Sequence, residues 1–117
     1  MNNNKCESRP WGHFEILLDD KNTKVKKICV HPLQRLSYQM HHKRSEVWTI
    51  IEGQGYVIID DLIQRVGNGS IVHIPAGRKH RIINDRDEGI LTFIEVQYGE
   101  YFGEDHIVRY SDDYNRC

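Results

Sequence analysis

The chain has 117 residues, of which 16 are Lys or Arg and 17 are Asp or Glu, for a formal net charge of −1. That length suits one domain with one core and leaves no room for a second catalytic domain. The balanced charge lacks the basic stripe that nucleic-acid binding needs, and no apolar run approaches the roughly 20 residues of a membrane-spanning helix.

The N-terminus, "MNNNKCESRPWG", is polar and has no apolar signal segment. Residues 1–8 are read as a mobile arm on a single domain spanning 1–117. Cys6, Cys29 and Cys117 are odd in number, far apart and without a CxxC pair. That argues against a disulfide framework or a cysteine zinc site, and a reducing cytoplasm is the expected home. Cys29 lies in an apolar run and reads as core.

In chain order, "HFEILLDD", "VKKICV", "LSYQMH", "EVWTIIEG", "QGYVIIDD", "LIQRV", "SIVHIP", "HRIIN" and "GILTFIEVQ" read as strands. They carry β-branched residues or near-alternation, and the breaks between them contain Gly, Asn, Asp or Pro. No window offers a long helical stripe. Short turns near "GEDHIVRYSDDY" are the only helix candidates. The pattern predicts an all-β sandwich or barrel.

Several polar residues fall inside these apolar strands. Ser37, Gln39 and His41 alternate and so share a face, as do Glu46, Trp48 and Ile50, and later His80, Ile82 and Asn84. If those faces point inward, Gln39, His41, Glu46 and His80 meet in one barrel mouth, and His42 faces away. Imidazole nitrogens and a carboxylate oxygen suit divalent first-row metals, and a Gln carbonyl adds a neutral ligand. Without a metal these groups would sit in a core with few partners, at a cost.

Residues 69–84, "GSIVHIPAGRKHRIIN", resemble the second cupin motif, G-x5-P-x-G-x2-H-x3-N, with Gly69, Pro75, Gly77, His80 and Asn84 at the fixed positions. The first cupin motif is G-x5-H-x-H-x3-4-E-x6-G. Gln39, His41, Glu46 and Gly53 fill its last four positions, Gln39 replacing the first His and Leu33 the leading Gly. The resemblance implies a cupin double-stranded β-helix, or jelly-roll barrel. "RPWG" (9–12), "LSYQMHHKRSEVW" (36–48), "FIEVQYGEYFGEDHIVR" (93–109) and the "DDYNR" end narrow it. They look like the isomerase domain of type II mannose-6-phosphate isomerases, which in that family usually follows a guanylyltransferase domain. The chain resembles the isomerase half standing alone, and no nucleotidyl transfer is expected. Val47 stands where the family usually has His, His106 where a second Asp follows "ED", and Asn115 where a Gly occurs near the end.

The resemblance implies interconversion of mannose 6-phosphate and fructose 6-phosphate, with one divalent ion at Gln39, His41, Glu46 and His80. Zinc fits that role, and manganese, cobalt or nickel are alternatives. Such an ion acts as a Lewis acid on the carbonyl and enediolate oxygens. Arg44, two residues before Glu46 at the same parity, matches the family's functional motif as phosphate ligand or enediolate stabiliser. Lys26 alternates with Ile28 and Val30; it is read as a base, a phosphate ligand or a snorkelling strand-end lysine. Ser37 joins them as a substrate-binding candidate. Glu95 is the candidate base if Phe93, Glu95 and Gln97 line the barrel, and parity leaves that open, as it does for His73. Arg81 and Arg109 match basic family positions, and Arg81, opposite in parity to His80, reads as structural. Trp11 and Trp48 read as core or rim aromatics. Two other functions fit the same residues: a metal-binding cupin that holds a sugar phosphate without turnover, or another metal-dependent cupin chemistry. A homodimer is the expected assembly.

Overall fold

The fold is known from a computed structural model, which describes residues 5–102 and 107–114. Eleven strands make it up: β1 (Lys5–Arg9), β2 (Gly12–Asp19), β3 (Thr23–Val30), β4 (Tyr38–His41), β5 (Arg44–Glu52), β6 (Gly55–Ile59), β7 (Leu62–Val66), β8 (Ile71–Ile74), β9 (His80–Ile83), β10 (Leu91–Gly99) and β11 (Ile107–Ser111). No helix occurs among the described residues. The strands form two antiparallel sheets, β1-β2-β3-β10-β5-β8 and β11-β4-β9-β6-β7.

Alternation decides which side chains enter the space between the sheets. On β5, Arg44, Glu46, Trp48 and Ile50 are buried, while Ser45, Val47 and Thr49 are only partly so. Register carries the inward face sideways. Ile50 pairs with Phe93 and Phe93 with Ile28, Trp48 with Glu95 and Glu95 with Lys26, and Glu46 with Gln97. One end of the interior is therefore apolar, built on Trp48, Ile50, Phe93, Val30, Val57, Ile82 and Leu91. The other end buries Lys26, His41, Arg44, Glu46, His80, Glu95 and Gln97.

Two expectations change here. Of the arm expected over 1–8, residues 5–8 belong to β1, which pairs with β2 from Lys5↔Ile16 to Arg9↔Gly12. An edge strand needs only backbone partners, so a polar sequence can take one. Within "GEDHIVRYSDDY", residues 107–111 form β11 on the edge of β4 rather than a helical turn. His106, Asn115 and Cys117 lie outside the described residues.

The motif turns hold their shape by two means. Gly53 has φ +96, and a Cβ there would come within 2.7 Å of the Ile90 carbonyl oxygen. Only glycine permits both the turn and the approach. Leu33, in the place of the first motif's leading glycine, also has positive φ, at 60°. The loop keeps the glycine-type turn with a leucine in it.

Candidate metal centre and substrate cavity

His41, Glu46 and His80 are all buried and bring one ligand atom each within 4.8 Å of one another. β4 supplies His41, β5 supplies Glu46 and β9 supplies His80. The His41 Nε2 lies 3.4 Å from Glu46 Oε2, and His80 Nε2 lies 3.9 Å from Glu46 Oε1. Gln39 stands opposite His80 in the β4–β9 pairing, so the two side chains share a face.

The state of each ligand follows from its partners. His80 Nδ1 donates to the Arg78 carbonyl oxygen at 3.0 Å, which leaves the Nε2 lone pair pointing inward. That Nε2 is buried and has no hydrogen-bond partner. An orphaned imidazole nitrogen beside a carboxylate and a second imidazole is a donor set suited to a divalent ion, and the Arg78 carbonyl is the outer partner that orients it. Burial lowers the His80 pKa, an effect the Arg78 carbonyl partly offsets. Burial, then the Arg44 charge, drives His41 down to about 2. Both imidazoles are therefore neutral and able to ligate at neutral pH.

Arg44 and Trp48 hold the carboxylate. Trp48 Nε1 donates to Glu46 Oε1 at 2.9 Å, and Arg44 Nε donates to Glu46 Oε2 at 2.9 Å. The Arg44 guanidinium also donates to His41 Nε2 at 2.9 Å. Trp48 thus does more than fill the core.

A cavity of about 160 Å³ adjoins the cluster. Ser37, Gln39, Lys26, Arg44 and Glu95 line it, together with Arg9, Arg109 and the aromatic rings of Trp11 and Phe14. Glu95 faces inward, which settles the open parity. It is pushed up to about 7, first by burial and then by the charge and hydrogen bond of Glu46. Gln97 Nε2 donates to Glu95 Oε1 at 2.5 Å. His73 goes the other way: it lies on the outer face, exposed, 2.7 Å from the Tyr98 hydroxyl. Arg81 turns from the site and donates to the Leu36 carbonyl oxygen at 2.8 Å and to that of Ser111 at 3.1 Å. His42 is exposed. Val47 pairs with Val96 and His73 on the outer face, so that departure from the family leaves the interior untouched.

The fold thus gathers Lys26, Ser37, Gln39, His41, Arg44, Glu46, His80 and Glu95 at one end of the barrel. Arg9, Arg109 and Gln97 had no site role in the sequence reading. For Gln97 the signal was present, since it alternates with Glu95. For Arg9 it was hidden, because a polar stretch gave no sign of a strand.

Comparison with known proteins agrees with this architecture. Residues 1–112 match the family described as "Mannose-6-phosphate isomerase C-terminal". The chain is 39% identical over 108 residues to "Mannose-1-phosphate guanylyltransferase" of Escherichia coli (strain K12), covering 92% of this chain and 22% of that protein. It is 40% identical over 114 residues to "Alginate biosynthesis protein AlgA" of Pseudomonas aeruginosa, covering 97% of this chain and 24% of that protein. The chain therefore spans about a quarter of the length of these relatives. Among solved structures, a cupin-2 domain protein from Rhodospirillum rubrum superposes with a TM-score of 0.74 at 16% identity, over 86% of this chain and 72% of that one. KdgF from Halomonas sp. superposes at 0.75 with 11% identity, over 86% and 89%. These likenesses establish the cupin double-stranded β-helix.

Proposed function

The chain belongs to the mannose-6-phosphate isomerase C-terminal family, and from that premise we propose that it is a metal-dependent aldose–ketose isomerase interconverting mannose 6-phosphate and fructose 6-phosphate. The observation that carries this reading is the position of Arg44 and Glu95. Each contacts Glu46 of the ligand cluster, and each lines the adjoining cavity. A reacting sugar in that cavity meets the metal centre through these two residues.

His41, Glu46 and His80 would hold the ion, with Gln39 as fourth ligand, and zinc, manganese, cobalt or nickel all suit that donor set. When bound, the ion supplies Lewis acidity for the sugar carbonyl. The remaining chemistry belongs to side chains. Isomerisation breaks the C2–H bond of the aldose and forms a C–H bond at C1, while the O2 hydroxyl gives up its proton and O1 gains one. Glu95 takes the C2 proton as a carboxylate and returns it to C1 as an acid. A carboxyl group poised at about 7 is present in both forms at neutral pH, as such a shuttle requires. Arg44 donates hydrogen bonds at the edge of the cluster, where negative charge develops on the sugar oxygens. Ser37 and Lys26 line the wall that receives the rest of the substrate.

The test is a coupled assay of the metal-loaded chain on mannose 6-phosphate, run in parallel in deuterated water. Turnover is expected, with deuterium entering the sugar from solvent. A folded, fully metal-loaded protein that binds the sugar phosphate but shows neither turnover nor wash-in would be a binding protein instead.

A further inference from the structure

We propose that Asp60 and Asp61, at the tip of the β6–β7 hairpin, are positioning residues for the candidate metal centre. They brace the strand that carries His41 against the loop that orients His80. The proposal rests on the metal-centre reading above and deepens it.

The first observation is strain. Asp60 has φ 47° and Asp61 φ 68°. They are the two residues between Ile59 and Leu62, which pair across the hairpin. A two-residue hairpin loop with positive φ at both positions is the type I′ turn, and Asn-Gly is the sequence that suits it best. Two aspartates there put neighbouring negative charges on a left-handed backbone. Strain retained in a fold points to work that the strained residues do.

The second observation is what the two carboxylates hold. The Asp60 N–H donates to the Lys79 carbonyl oxygen at 2.9 Å, and the Lys79 N–H donates to Asp60 Oδ1 at 3.0 Å. Lys79 is thus gripped through both of its backbone groups, directly before His80. The Arg78 guanidinium donates to Asp60 Oδ2 at 2.7 Å, an exposed ion pair that adds little by itself. The Arg78 carbonyl is the group that accepts from His80 Nδ1 and turns Nε2 inward. Asp61 reaches the other way. The Tyr38 hydroxyl donates to Asp61 Oδ1 at 2.7 Å and accepts from the Asp61 N–H at 2.8 Å. Tyr38 opens β4, the strand of Gln39 and His41.

The third observation is how thin the direct link between these strands is. β4 and β9 pair at a single position, Gln39↔His80. On the ligand side of that pair the loop over 75–79 takes over, and the Gly77 N–H reaches the His41 carbonyl oxygen at 2.8 Å. Ligands must be held to within about 0.5 Å of their working geometry. The hairpin tip joins β4 to the residues before β9 by a second route.

Two measurements on the full chain test the brace: zinc affinity by competition with a chelator, and the ring-nitrogen NMR spectrum of His80 in the metal-free protein. The variants are Asp60→Gly, Asp61→Gly and Tyr38→Phe. Glycine removes a carboxylate while accepting the turn's backbone. Each variant is expected to weaken zinc binding about 10- to 100-fold. In Asp60→Gly, the single Nδ1–H tautomer of His80 should become a mixture. Asp60→Asn keeps an oxygen for the Lys79 N–H and should restore most of the affinity. Arg65→Met breaks another ion pair of this hairpin, that of Arg65 with Asp85, and should leave zinc affinity unchanged. Where a Gly variant fails to fold, Tyr38→Phe decides. Unchanged zinc affinity in the variants that fold, or an equal loss in Arg65→Met, would overturn the brace and leave the metal centre standing. A wild-type chain that binds no zinc, yet loses the His80 tautomer in Asp60→Gly, would uphold the brace and sink the metal centre. No zinc binding and an unmoved tautomer would overturn both. Neither readout depends on turnover.

Discussion

At Gln97 the fold buries an amide fully and leaves its Oε1 without a partner, while Nε2 donates to Glu95. An unsatisfied buried oxygen costs about 1–3 kcal/mol, so the residue is poorly chosen for stability alone. Its worth lies in orienting Glu95. Gln97→Leu removes the orphan together with the hydrogen bond; the unfolding free energy should change by less than about 1 kcal/mol, read from denaturant melts. The same variant should lower kcat about tenfold with metal occupancy unchanged. If stability falls steeply and kcat does not, Gln97 is a packing residue. Glu95→Gln goes further, since it removes the group proposed to take the proton. A loss of about 10²- to 10⁴-fold in kcat is expected, with deuterium wash-in abolished and sugar-phosphate binding kept. These inner-face roles were only partly legible in the sequence. Gln39, His41, Glu46 and His80 could be placed because motif spacing joins them. Glu95 could not be placed by alternation, because its outward neighbours Ile94 and Val96 are themselves half-buried and so read as equally apolar.

The strands from β2 to β10 were legible because each carries apolar alternation bounded by turn residues. β1 and β11 were not, because backbone pairing at a sheet edge imposes no apolar pattern. The loop at Leu33 shows a similar division. The missing glycine was visible, but sequence alone did not reveal that the chain keeps positive φ there. A left-handed leucine costs about 1–2 kcal/mol, and glycine costs about 0.5–1 kcal/mol in unfolded-chain entropy. Leu33 is 65% exposed, so little burial is lost on truncation. Leu33→Gly should therefore raise the unfolding free energy by about 0.5–1 kcal/mol, seen as a higher denaturant midpoint at constant slope. Leu33→Ala should show no such gain, since alanine meets the same backbone penalty. At the far side of the second motif, Asn84 Nδ2 donates to the carbonyl oxygens of Val30 and Gly89, and its Oδ1 accepts from the Arg86 N–H. The motif's asparagine thus ties β3 to the loop after β9.

On the scale of the whole molecule, the buried groups of the candidate metal centre shape how stability responds to acid. In the metal-free protein, His41 and His80 are held neutral, with pKa values below the 6.5 they would have unfolded. As pH falls through 6.5 the unfolded chain gains a proton at each and the folded chain does not, so stability is lost. Glu95 acts in the opposite sense. Its folded pKa of about 7 lies above the unfolded 4.5, so between those values the folded state holds the extra proton and acidification stabilises it. Below pH 6.5 both histidines pull stability down with acid and the one glutamate opposes them. The metal-free protein should therefore lose stability as pH falls from 6.5 toward 4.5. Replacing Glu95 with Gln deletes the compensating term, so the slope between pH 6.5 and 4.5 should steepen. Urea melts of the chelator-treated wild type and variant at half-unit pH steps measure both slopes. Equal slopes would mean that Glu95 is ionised in the fold throughout this range, and it would then lose its standing as a group able to both take and return a proton. Adding metal at fixed pH should raise the midpoint further, because an ion that binds only the folded ligand set stabilises it by mass action. That rise should vanish in His80→Ala, which removes the nitrogen the fold leaves without a partner.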